Sequence, residues 1–194
     1  MIARLPLIAL AATLAACTHL ATAEPPATDA LPDMADMPGP ADGVFPSMMR
    51  QTADIQGADG AMIGSANLLS GPNGMMIRVE IAPGGLTPGW HGMHLHAVGD
   101  CSDIGTYTLS GGHVGKHEGG HGLLNPKGPE AGDLPNIWAA ADGSAGYEAF
   151  STMDALAGLA DADGTAIIIH ESEDDHLTQP IGGAGARVAC GVVK

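Results

Sequence analysis

Ile77, Val79 and Ile81 alternate with Arg78 and Glu80, and the run stops at once in Pro83-Gly84-Gly85. The period of two is that of a strand with one face buried, and the abrupt stop limits its length. The same figure recurs along the chain. GADGAMIGSANLLSGPNGMMIRVEI reads as two or three short strands separated by Ala58-Asp59-Gly60 and Pro72-Asn73-Gly74, which are turn signals. GWHGMHLHAV is a further strand candidate, short strands resume over 136–150, TAIIIH at 165–170 is an apolar β-branched run of the buried kind, and RVACGVVK closes the chain. Twenty-nine glycines and fourteen prolines in 194 residues favour turns over long helices. Only STMDALAGLA, 151–160, suggests a helical turn or two. Many short strands at this spacing predict an antiparallel sandwich or barrel.

Two segments lack any strand or helix period: 99–135 and ESEDDHLTQPIGGAGA. Both are too long for ordinary connections, which marks them as functional. Six of the nine histidines fall within 91–121. On a strand, residues i and i+2 share a face, so His94 and His96 can grip one ion while Met93 and Leu95 turn to the core. GGHVGKHEGGHGLLNPKGPEAGD at 111–133 adds three histidines, two glutamates and an aspartate. Imidazole suits copper and zinc, and added carboxylates suit zinc. The formal net charge of −15 excludes a nonspecific nucleic-acid binder, since nothing here neutralises many phosphates.

The first residues read MIARLPLIALAATLAACTHL. Arg4 precedes an apolar run from Leu5 to Ala16 that is too short to span a bilayer. Leu14-Ala15-Ala16-Cys17 resembles the bacterial lipobox. That resemblance implies a signal peptide over 1–16, cleavage before Cys17, lipidation of its thiol, and a membrane-anchored periplasmic protein. Thr18 in place of an aspartate favours the outer membrane. Residues 17–50, rich in Pro, Ala and Asp, read as a flexible tether with scattered methionines. With Cys17 lipidated, Cys101 and Cys190 have each other in an oxidising compartment.

HGMHLHAVGDC, SGGH, HGLLNPKGPEAGDLPN, IIIHESEDD and GGAGARVACGV follow one another in order. Residues 51–194, which contain these blocks, resemble the bacterial copper,zinc superoxide dismutases. The resemblance implies a Greek-key eight-stranded β-barrel or sandwich with two long functional loops. It implies copper held by His94, His96, His113 and His170. His113 would bridge to zinc, whose other ligands match His121, Asp133 and position 130. The family carries histidine at that last position and this chain carries Glu130, which implies a weaker or more exchangeable zinc site. Asp174 matches the aspartate that links a copper histidine to a zinc histidine. Arg187 matches an arginine that guides superoxide, the expected substrate, and Cys101–Cys190 matches the family disulfide. His91 is expected to be structural, His117 to be a spacer in the loop, and His176 and His19 to lie on the surface and in the tether. Two alternatives share the fold: a copper-binding or copper-buffering protein without turnover, and a copper-only dismutase. Glu130 favours these, whereas Arg187 favours catalysis.

Overall fold

The structure is a computed structural model and describes residues 49–151 and 162–194. The signal peptide, Cys17, the tether up to residue 48 and nearly all of the expected 151–160 turn lie outside those residues. Nine strands are described: β1 Met49–Gly57, β2 Met62–Gly71, β3 Gly74–Ile81, β4 Gly89–His91, β5 Met93–His96, β6 Ile137–Ala139, β7 Ala145–Ser151, β8 Ala166–His170 and β9 Arg187–Val192. Seven form an antiparallel sheet in the order β5-β8-β9-β1-β2-β3-β7, and β4 pairs with β6. The joins between β3 and β7 and between β5 and β8 cross over, as a Greek key requires.

The alternation read from the sequence builds the interior. Ile77, Val79 and Ile81 are buried, and Arg78 pairs across β7 with Glu148, its register partner. One apolar cluster gathers Ile55 of β1, Leu68 of β2, Ile77 of β3, Met93 and Leu95 of β5, Ile137 of β6 and Ile167 and Ile169 of β8. Strands from both ends of the sheet order meet in this single cluster, so the sheet is curled round it.

The expected eight strands become nine because GWHGMHLHAV is broken at Gly92. A Cβ there would lie 2.8 Å from the Ala184 Cβ and 3.2 Å from the Asp174 Cβ, so a loop passes where a side chain would stand. The Gly92 N–H donates to the Ser172 carbonyl, and its own carbonyl accepts from His170 N–H. The two halves of the run therefore join different sheets.

β8 is buried on both faces, as its unbroken apolar run predicts. Ile167 and Ile169 enter the main core. Ala166 and Ile168 pack on the other side with Tyr107, Cys101 and Cys190. The outer face of β5, β8 and β9 is thus roofed by the two long loops, and the polar chemistry lies under that roof.

Candidate metal centre

The period of two places His94 and His96 on the outer face of β5, opposite Met93 and Leu95. β5 is an edge strand, and an unpaired edge needs covering. The first long loop does this. Leu95 N–H donates to the Gly132 carbonyl and Ala97 N–H to the Gly112 carbonyl, while Val114 N–H donates to Leu95. These bonds set His96 opposite His113 and His94 opposite Asp133. His170, at the end of the neighbouring β8, completes the group. Ring centroids lie 4.2 Å apart for His94–His113, 4.9 Å for His94–His170 and 5.1 Å for His96–His113.

Each of these four rings is buried, and each has one nitrogen without a hydrogen-bond partner: His94 Nδ1, His96 Nε2, His113 Nε2 and His170 Nε2. Their other nitrogens are all occupied. His94 Nε2 meets Asp174 Oδ2 at 2.8 Å, His96 Nδ1 meets the Gly111 carbonyl at 2.9 Å, and His170 Nδ1 meets the Gly185 carbonyl at 3.0 Å. Each carbonyl accepts a hydrogen bond from its ring N–H, which leaves the opposite nitrogen with a free lone pair. Buried polar atoms are seldom left alone, and a cluster of such imidazole nitrogens is the donor set of a metal such as copper. Ligand atoms of His94, His96 and His170 lie within 4.8 Å of one another. Burial, reinforced by the neighbouring His113 and Arg187 charges, holds His96 down at about 2. Burial likewise lowers His94 and His170 to about 4. All three rings are neutral at pH 7 and ready to ligate.

The other side of His113 faces a second group. Its Nδ1 lies 2.9 Å from Glu130 Oε2 and 3.0 Å from Asp133 Oδ1, and His121 Nδ1 lies 2.9 Å from the same Asp133 oxygen. Glu130 is only 3% exposed, far from the usual surface placement of a glutamate. Ligand atoms of His94, His113, His121 and Asp133 lie within 4.8 Å of one another, and Glu130 adds an oxygen on the His113 side, all donor types that zinc takes. Asp174 stands between the two groups, with Oδ2 on His94 and Oδ1 3.2 Å from His121 Nε2. Burial alone would lower the His121 pKa, but its bonds to Asp133 and Asp174 outweigh that and raise it to about 10.

The chain matches the family model described as copper/zinc superoxide dismutase over residues 62–193. It is 48% identical over 152 residues to the superoxide dismutase [Cu-Zn] of Caulobacter vibrioides, covering 74% of this chain and 84% of that protein. A SOD-like protein from Bacillus subtilis superposes with a TM-score of 0.64 at 32% identity, over 73% of this chain and 96% of that one. The Cu/Zn superoxide dismutase from Brucella abortus gives 0.60 at 28% identity, over 75% and 100%. The chain belongs to the copper/zinc superoxide dismutase family. Membership implies one copper and one zinc ion, and the unpartnered nitrogens and the four-donor group fit them.

Arg187, where this dismutase-family chain begins its last strand, is half-buried. Its guanidinium donates to the Tyr107 carbonyl, to Ser110 Oγ at 3.1 Å and to the Gly111 carbonyl at 2.8 Å. Gly111 also receives His96, so arginine and ligand share one loop turn. Cys101 and Cys190 are joined by a disulfide with Cα atoms 5.8 Å apart, tying that loop to β9.

Both ring nitrogens of His91 lie 2.7 Å from backbone carbonyl oxygens, those of His170 and Thr87, the structural place expected of it. His117 has its ring on the Gly115 and Lys127 carbonyls, while its backbone N–H donates to Glu130 Oε1. His176 departs from the surface expectation. It is partly buried, with Nε2 accepting from Asn136 Nδ2 and Nδ1 3.6 Å from Asp174 Oδ2.

Four supports escaped the sequence reading. Asn136 grips the backbone of Asp174 at both its N–H and its carbonyl, and Gln179 does the same for His121. Tyr107 is buried with its hydroxyl on the Gly57 carbonyl. Asp103 receives both backbone and hydroxyl of Thr108, shaping the turn that carries Tyr107. These are amides, a phenol and a loop carboxylate of common type, and no spacing marks them.

Proposed function

We propose that this protein is a superoxide dismutase of the periplasm, anchored to the outer membrane by lipid on Cys17, that converts superoxide to O2 and H2O2. Copper is held by His94, His96, His113 and His170, and zinc by His113, His121, Asp133 and Glu130. When bound there, copper would supply the one-electron redox chemistry by which superoxide is both oxidised and reduced. The four buried unpartnered nitrogens carry this reading, because no structural role accounts for them.

The chain's own residues divide the remaining work. His94, His96 and His170 are neutral and fixed by Asp174, Gly111 and Gly185, so they ligate without moving. His113 Nε2 faces the copper cluster and, when not ligating, would take a proton from water and pass it on as one of the two protons that H2O2 needs; water would deliver the other. Arg187 attracts the superoxide anion locally on a molecule whose net charge of −15 repels it at a distance; its charge is felt at His96 and His170. Asp174 keeps the tautomer of both His94 and His121.

The test is cyanide-sensitive dismutation by the copper-loaded, disulfide-intact protein. Activity no greater than that of free copper defeats the proposal. Arg187→Glu is expected to lower the rate by about tenfold or more while the copper spectrum stays unchanged. For the anchor, Cys17→Ala is expected to release the protein from the membrane fraction.

A further inference from the structure

We propose that the second metal position accepts oxygen-preferring divalent ions such as Mn2+ as well as zinc, and that Glu130 sets this breadth. The proposal rests on Glu130 being a ligand there. The position offers two imidazole nitrogens, His113 Nδ1 and His121 Nδ1, and two carboxylates. Glu130 Oε2 and Asp133 Oδ1 lie 2.9 and 3.0 Å from His113 Nδ1. Two carboxylate charges neutralise a divalent ion by themselves, and carboxylate oxygens suit Mn2+ and similar hard ions far better than imidazole does.

Hard ions also demand more than four ligands. A groove of about 370 Å3 lies beside the loop that carries Glu130. It is lined by Glu130 and Asp133 together with Leu123, Pro129, Ala131 and Phe150. No histidine lines it and the Asp133 side chain is wholly buried, so the groove runs past the loop that carries Glu130 rather than into the metal position. Glu130 has a second oxygen, Oε1, which among the described residues accepts from the His117 N–H at 3.1 Å. Carboxylates bind such ions through one oxygen or both, and exchanging that single bond adds a further ligand. A histidine at position 130 offers neither the charge nor the second donor atom.

The experiment uses the full protein with copper loaded and the second position stripped. Mn2+ is titrated in and its free EPR signal followed, then Zn2+ is added as competitor. One Mn2+ is expected per chain, displaced by Zn2+. Glu130→His is expected to weaken Mn2+ at least tenfold while zinc binding is kept. Glu130→Gln, which keeps the shape and removes the charge, is expected to weaken Mn2+ as well and serves if the histidine variant does not fold. Absent Mn2+ binding in the parent protein, or equal Mn2+ affinity in parent and variants, overturns the proposal. Copper absorption and dismutation are read on the same samples. Their loss counts against the dismutase reading, whereas Mn2+ failure with both intact counts against this inference alone.

Discussion

Asp174 is the residue through which the two metal groups feel each other, with one oxygen on His94 and the other on His121. Its own place is forced. Asn136 grips its backbone, and Gly182, at φ 61°, leaves the space its carboxylate occupies; a Cβ there would overlap Oδ1. Replacing Asp174 with Asn is expected to weaken metal retention about 10- to 100-fold with the fold intact, measured by competition against a chromogenic chelator. Titration gives a second test in the metal-free protein. His94, His96 and His170 have folded pKa values depressed below 6.5, so the unfolded chain binds more protons as pH falls from about 6.5 toward 4, and stability falls with it. His121 is raised to about 10, so its contribution is complete below 6.5 and is lost as pH rises toward 10. Thermal unfolding of the metal-free protein is therefore expected to show greatest stability near neutrality. A curve that keeps rising from pH 6.5 down to pH 4 contradicts this.

Among the elements, the break between β4 and β5 matters most to function. Read as one strand, GWHGMHLHAV places His94 and His96 correctly on one face, because period two depends only on local backbone. It gives no sign that Gly92 must split the run. The reason for the split lies about eighty and ninety residues away, in the Asp174 and Ala184 atoms that a Cβ would meet. Gly92→Ala is expected to cost about 1–3 kcal/mol by overpacking and to loosen copper as the Asp174 loop is pushed off. Denaturant unfolding and copper retention measure the two effects. The same long-range dependence explains Glu130: its number and type were visible as a departure from histidine, but its burial and its oxygen on His113 come from the loop's pairing with the β5 edge.

For the whole molecule, the disulfide decides how the roof is held. Cys101 and Cys190 are 89 residues apart and close a loop that includes most of the metal-bearing segment. Loops of that length gain about 4–5 kcal/mol in the chain-entropy description. The paired Cys101→Ser, Cys190→Ser variant is expected to lose about 2–5 kcal/mol of stability and part of its activity, since the loop carrying Tyr107, Ser110 and Gly111 also holds Arg187. An unchanged denaturation midpoint would refute the first expectation, and unchanged turnover the second. The curled sheet does its part by bringing β5, β8 and β9 side by side, so that residues from position 94 to position 187 meet on one outer face.

The sequence by itself determined the strand periods, the outward pair His94 and His96, the two functional loops, the pairing of the cysteines and, through the matched blocks, the family and its two metals. These are local patterns or ordered motifs, and they survive without knowledge of the rest of the chain. Tertiary structure alone decided that His176 turns inward beside Asp174, that Asn136 and Gln179 clamp the backbones of Asp174 and His121, that Gly92 divides a strand, and that Glu130 lies buried beside an open groove. Each depends on which distant segment passes nearby, and side-chain type carries no record of its neighbours until the sheet has curled and the loops have closed over its edge.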